Sequence, residues 1–260
     1  MTQPQLRTER DGPVGRVILD NQARRNAISA QMWRDIPQAV AAFNADPEVR
    51  CIVLRGAGSE AFAAGADISE FEQRRAAEAD VRSYESQVEA AHRALEASAK
   101  PVIAQIHGFC VGGGLAVALS CDLRYANASA RFAIPAARLG LGYGVSGTSR
   151  LVATVGHAFA REIMFSARRY DAQEALAMGL VHRVLPDADL ERHVQEMAAA
   201  LAANAPLTMA ASKSVINALI APQGDFGAAR AAVEACMRSE DYVEGRRAFM
   251  EKRAPRFTGR

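Results

Sequence analysis

Two short glycine-bent segments, each following an apolar run, constrain this chain most. The first is Ala61-Phe62-Ala63-Ala64-Gly65-Ala66-Asp67-Ile68-Ser69-Glu70-Phe71. The second is His107-Gly108-Phe109-Cys110-Val111-Gly112-Gly113-Gly114-Leu115-Ala116. The runs before them, residues 51–55 and 102–106, are rich in β-branched residues and read as strands. The second segment then enters a helix of small residues, 115–120. Glycine lets backbone N–H groups approach a ligand closely, and a helix start leaves N–H groups unpaired at a positive dipole end. Two such amides converging on one point would hold a carbonyl oxygen as it becomes an oxyanion.

The rest of the first half alternates strand and helix. Residues 14–19, 123–126 and 131–134 read as strands, and 29–43 as a helix with Ser29 as its N-cap. Val81, Tyr84, Val88, Ala91 and Leu95 fall at helical spacing. The polar stretch 70–80 before them is the expected mobile loop. This alternation predicts an α/β core and leaves a doubly wound sheet open. From Gly147 onward the pattern is helical, over 148–165, 171–178, 189–204, 206–219 and 226–237. Asp171 to Glu174 forms a capping box and Gly179 a stop. With 260 residues the chain can bury one sizeable core, and no linker divides it.

Several function classes are excluded. A net charge of +2, with no basic run interleaved with aromatics, gives no reason to expect nucleic acid. No run approaches a membrane span, and residues 1–11 are polar with no signal core, so a soluble cytoplasmic protein is expected. Cys51, Cys110, Cys121 and Cys236 show no zinc spacing; the first three lie in apolar segments and read as buried free thiols. No metal site is expected. The glycine triplet is neither G-x-G-x-x-G nor followed by Gly-Lys-Ser/Thr, and Gly144-Val145-Ser146-Gly147 is no nucleophile elbow.

Together with Asn26-Ala27, Cys121-Asp122, Pro135, Leu139-Gly140, Gly147-Thr148, Ala175 and Gly179-Leu180-Val181, the two segments carry a resemblance. It continues through Glu244-Gly245, Phe249, Lys252-Arg253, Pro255 and Phe257. Over nearly its whole length, and in order, the chain resembles the crotonase family, the enoyl-CoA hydratase/isomerase superfamily. The resemblance implies an α/β spiral of β-β-α turns over 1–200. It also implies a helical trimerisation region over 201–260, the two forming one continuous unit. It implies acyl-CoA thioesters as substrates, with coenzyme A as part of the substrate and no other cofactor, and assembly as a homotrimer or dimer of trimers. Oxyanion-hole amides would belong to Ala66 and Gly113. The backbone of Ala64, Asp67, Ile68 and Ser69 would line the CoA, with Arg25 and Ala27 near its adenine and phosphates. Phe249 and Lys252 would reach a neighbouring subunit's CoA.

The departure is as informative. Hydratases of the family carry one glutamate two residues after the glycine triplet and another after the proline of the next strand; here those places hold Ala116 and Ala136. Positioned acid/base groups contribute roughly 10²–10⁴ each, so efficient two-glutamate hydration is expected to be lost. The two alanines should leave an unusually apolar acyl pocket. Tyr143, beside Gly144 in the loop that faces the acyl group in the family, is the candidate for a relocated acid, or else a packed rim residue. Glu85, Glu89 and His92 read as a solvated helix face. Asp67 and Asp122 are expected to brace turns, and His107 to pack, while His157 carries no partner signal. Two readings follow: a lyase or isomerase acting on acyl-CoA with relocated acid/base groups, as in fatty acid metabolism, or an acyl-CoA-binding protein without turnover.

Overall fold

The computed structural model describes residues 4–67, 78–221 and 224–260, with only the helical backbone described at 78–81. Among the described residues, ten strands form two sheets. The six-stranded sheet runs β1 (Gln5–Asp11), β2 (Val14–Asp20), β3 (Cys51–Gly56), β5 (Val102–Ile106), β7 (Leu123–Asn127), β10 (Arg183–Leu185). The four-stranded sheet runs β4 (Ala61–Ala63), β6 (Phe109–Val111), β8 (Arg131–Ala133), β9 (Tyr170–Asp171). Successive pairs, β3 then β4, β5 then β6, β7 then β8, each add one parallel strand to both sheets. That repeat is the β-β-α spiral, and it replaces the doubly wound alternative.

Local chemistry explains the elements. The inner strands β3 and β5 are buried almost throughout and read as continuous apolar runs, as parallel strands covered on both faces do. Helix α1 (Ala30–Ala45) starts where Ser29 Oγ accepts the Met32 N–H at 3.3 Å. It buries Trp33, Ile36 and Val40 against Leu54, Phe62 and Ile106 in the main core. Helix α2 (Glu78–Glu96) turns Ala91 and Leu95 into the same core. The segment 70–77 of the expected mobile loop lies outside the described residues, and residues 78–80 already belong to α2.

Helix α3 (Gly113–Leu119) begins two residues earlier than its apolar pattern suggested, which makes Gly113 its first residue. Helix α4 (Val145–Ser166) also begins earlier, and Gly156, at φ 71°, interrupts the single helix expected there. Helix α5 (Ala172–Ala177) carries the expected capping box, with Glu174 N donating to Asp171 Oδ1 at 2.8 Å and Asp171 N to Glu174 Oε2 at 2.9 Å. Gly179 follows its end at φ 74°. Two elements had no apolar signature. β1 pairs antiparallel with β2 as an exposed edge, and α9 (Glu240–Glu251) follows α8 (Phe226–Met237).

The C-terminal helices are tied to the spiral by polar contacts. Helix α6 (Leu190–Ala202) covers Cys51, Val53, Ile103 and Tyr125, and the expected boundary at residue 200 falls in its last turn. From α7 (Pro206–Ile220), Lys213 Nζ donates to Leu95 O at 3.0 Å and to Asp122 Oδ2 at 2.8 Å, and Asn217 Nδ2 donates to Glu96 O at 2.9 Å. These donors reach carbonyls in the last turn of α2, where Leu95 O also accepts the Ser98 N–H at 3.4 Å. Asp122 also accepts the Val102 N–H at 2.7 Å, so it braces the turn into β7 as expected.

Cys51, Cys110 and Cys121 are buried and free. Burial pushes the Cys51 and Cys121 thiols up to about 12 and the Cys110 thiol well above its ordinary value, which leaves them unreactive. Among the described residues, no helix is long and apolar enough to cross a membrane.

Candidate active site

Residues 64–67 of the first segment are splinted by residues 25–28. Ala64 N donates to Arg25 O at 2.9 Å, Ile28 N to Gly65 O at 2.8 Å, and Asp67 N to Ile28 O at 3.0 Å. Asn26 makes the splint possible. It is buried at φ 55°, and its amide donates to Ala57 O and Ala61 O at 2.9 and 2.7 Å while accepting from Asn21 N at 3.1 Å. The bridge between Ile28 and Ala66 is parallel and uses the groups on either side of Ala66. Ala66's own N–H has no backbone partner among the described residues.

The second segment reaches the same place from β6. Gly112 turns the chain at φ 54°, a conformation that favours glycine, and its N–H donates to Ala133 O at 2.8 Å. Gly114 permits close packing: a Cβ there would lie 2.3 Å from Ala63 O. Gly113 sits between them, and a Cβ on it would lie 3.3 Å from Ala66 N. The Ala66 and Gly113 amides are therefore neighbours. As the first residue of a helix, Gly113 has no acceptor within it.

Ala116 lies one turn into α3, and Ala136 follows Pro135, whose ring is 3.9 Å from a Cβ position on Gly112. Both alanines are buried, so no carboxylate enters here from either place. Tyr143 packs against the core and against Gly147 in the first turn of α4. Its hydroxyl is buried with no hydrogen-bond partner among the described residues, and burial pushes the phenol up to about 12. Gly144, the N-cap of α4, is exposed.

Two residues expected on a solvated face of α2 are not there. Glu89 is half-buried; it accepts from Ser146 Oγ at 2.8 Å and Arg150 Nη2 at 2.9 Å, and Arg150 also grips Glu96. These donors outweigh burial and hold the Glu89 carboxyl below its usual range. His92 is buried beside Trp33, with Nδ1 2.9 Å from Ser120 Oγ, and Ser120 Oγ lies 3.2 Å from Ala116 O. Glu85 is exposed, as expected.

Burial, followed by the Arg150 charge, pushes His92 down to about 4 from 6.5. Above pH 6.5 the folded and unfolded chains both hold it neutral, and it contributes no pH dependence. As pH falls from 6.5 to about 4, the unfolded chain takes up a proton that the folded one refuses, and roughly 3 kcal/mol of stability drains away. Urea titrations at about pH 7 and about pH 4.5 check this, because His92→Gln should lose correspondingly less between them.

Other expected residues separate. Ala27 and Ala64 lie in or against the splint, while Ile68 and Ser69 lie outside the described residues. The Arg25 side chain turns away from residues 64–67 to pair with Glu60 at 2.7 Å and to stand 4.7 Å from the Phe109 ring centre. Asp67 braces this region through an ion pair with Arg24, at 2.7 and 2.9 Å. His107 is half-buried 3.3 Å from Gln105 Nε2, and exposed His157 lies 3.5 Å from Arg161 Nη1. Phe249 and Lys252, at the end of α9, are exposed. An apolar cleft of about 820 Å³ opens among α7, α8 and α9; Phe249 lines it, but Ala66, Gly113, Ala116, Ala136 and Tyr143 do not.

Comparison with known proteins agrees with this architecture. The family described as Enoyl-CoA hydratase/isomerase matches residues 9–260. A short-chain-enoyl-CoA hydratase of Clostridium acetobutylicum is 36% identical over 249 residues, covering 94% of each chain. A carnitinyl-CoA dehydratase of Salmonella typhi is 33% identical over 98% of each chain. A crystal structure of an enoyl-CoA hydratase/carnithine racemase from Magnetospirillum magneticum superposes with a TM-score of 0.94 at 35% identity, covering 100% of this chain and 97% of that one. A match over the full spiral, helices included, means that the chain belongs to the enoyl-CoA hydratase/isomerase family, the crotonase superfamily.

Proposed function

We propose that this protein is an enzyme acting on acyl-CoA thioesters. In this reading the Ala66 and Gly113 amides form an oxyanion hole that stabilises a thioester enolate. The observation that carries it is the pair of neighbouring N–H groups, neither bonded to another backbone group among the described residues. A preorganised donor of this kind is typically worth about 10²–10³ in rate. Ala116 and Ala136 border an apolar acyl pocket and supply no acid or base. Of the displaced candidates, Glu89 has both oxygens engaged and His92 is buried on Ser120, whereas the Tyr143 hydroxyl has no hydrogen-bond partner among the described residues. Tyr143 is accordingly the relocated acid. Its high pKa suits donation to a carbanionic carbon rather than proton abstraction. Gly144 gives its loop room at the acyl end.

The backbone of residues 64–69 and Ala27 line the CoA, which enters as part of the substrate, and no further cofactor is invoked. Arg25 keeps its phosphate role only by leaving Glu60. Assembly as a homotrimer or dimer of trimers is supported by exposed apolar side chains on α4 and the C-terminal helices, Val145, Phe165, Ile216, Leu219, Phe249 and Met250 among them. In that assembly Phe249 and Lys252 meet a neighbour's CoA. The three buried free thiols suit a reducing cytoplasm. The two buried alanines favour one second reading, an acyl-CoA-binding protein without turnover.

The first test follows the conjugated-thioester absorbance of crotonyl-CoA and longer enoyl-CoAs, with acyl-CoA binding measured in the same sample. The expected result is clear binding and little hydration of crotonyl-CoA. Rapid formation of the 3-hydroxyacyl-CoA would sink the claim that hydration needs the missing carboxylates. Absence of binding for every chain length would sink the acyl-CoA reading.

A further inference from the structure

We propose that Arg24 is a positioning residue whose ion pair with buried Asp67 sets the direction of the Ala66 N–H. The inference rests on the oxyanion reading above and extends it to a residue outside the motif. The Gly65–Ala66 peptide is planar, so its C=O and N–H point in opposite directions. Gly65 O is held by Ile28 N at 2.8 Å, which sends the Ala66 N–H to the other side. There it lies near Gly113.

That aim needs a second anchor, because Gly65, at φ 118°, sits in a conformation with little resistance to rotation. The anchor is the next residue. Asp67 N donates to Ile28 O at 3.0 Å, and the Asp67 carboxylate takes Arg24 Nη1 on both oxygens, at 2.7 and 2.9 Å. The Asp67 side chain is only 5% exposed while that of Arg24 is 52% exposed. Removing that cation weakens the charge compensation of a buried carboxylate and favours its turning toward water. Such a turn carries the Ala66–Asp67 backbone with it. Arg24 reaches this place because the 3-10 turn Gln22–Arg24 hands over to two left-handed residues, Arg25 and Asn26, at φ 50° and 55°. Those residues put the Arg24 and Arg25 side chains to different uses: one clamps Asp67, the other pairs with Glu60.

The test uses a push–pull chromophore, 4-(dimethylamino)cinnamoyl-CoA, whose absorbance moves to the red when its thioester carbonyl is polarised. Wild-type protein should bind it with a red shift. Arg24→Gln should bind with affinity within about threefold of wild type yet lose most of the shift. Arg24→Lys should recover part of it, because charge returns without the guanidinium geometry. Asp67→Asn, which leaves no buried charge behind, guards against misfolding and should lose the shift too. The double variant Arg24→Gln/Asp67→Asn should be no worse than either single one, as expected of two groups acting as a pair. A full red shift in bound Arg24→Gln or Asp67→Asn overturns the proposal. A wild-type protein that binds the probe without any shift overturns the oxyanion assignment itself, and this inference with it.

Discussion

Glutamate placed at both 116 and 136 raises the rate of crotonyl-CoA hydration by about 10²–10⁴-fold over the parent chain. The expectation follows from where the alanines sit. Ala116 is three residues beyond Gly113 on α3, and Ala136 follows Pro135, which packs beside Gly112. Carboxylates at both places would border the Ala66 and Gly113 amides, one to orient water and the other to deprotonate it. Either single variant should gain much less, since the task is shared. Both positions are buried, so the new carboxyls will titrate above the usual carboxylate range, and the variant will lose stability. Ala116→Gln/Ala136→Gln, nearly the same volume without an acid, should gain nothing. The decay of the conjugated-thioester absorbance measures each rate. A folded double variant that binds crotonyl-CoA and shows no gain would mean that these positions do not face the reacting carbon. The roles given to Ala66 and Gly113 would then need revision as well.

Much of this site could be read from local sequence, because its parts are local. Each amide belongs to a strand followed by a glycine bend, and the caps at Ser29 and Asp171 are short-range patterns. The spiral was harder. Strands as short as Ala61–Ala63 and Phe109–Val111 carry no periodicity, and only their pairing with each other reveals the second sheet. β1 carries no sequence signal because an exposed edge needs no apolar alternation. His92 follows the helical spacing of Val88 and Leu95, a stripe that packs on the core, so its burial is written in that pattern. Contacts made far along the chain left no local trace. Arg24 meets Asp67 and Glu89 meets Arg150 only because the fold joins their elements.

Tyr143→Phe should stabilise the protein and reduce its turnover at once, and that combination separates an enzyme from a binding protein. The buried hydroxyl has no partner among the described residues. An unsatisfied buried polar group costs about 1–3 kcal/mol, and phenylalanine keeps the ring that packs on Gly147 and the core. For a chain of this size each kcal/mol gained raises the melting temperature by about 2–4 °C. A hydroxyl retained against that gradient is retained for what it does. If it donates a proton to the substrate carbon, its loss should lower turnover by about 10²-fold or more while acyl-CoA affinity stays close to wild type. Thermal melts, isothermal titration with a saturated acyl-CoA and steady-state assays on the best thioester substrate give the three quantities. Higher stability with unchanged turnover would make Tyr143 a packed rim residue and send the search for an acid elsewhere. Lower stability would mean that the hydroxyl has a partner in solution, and the case for an unspent donor would fall.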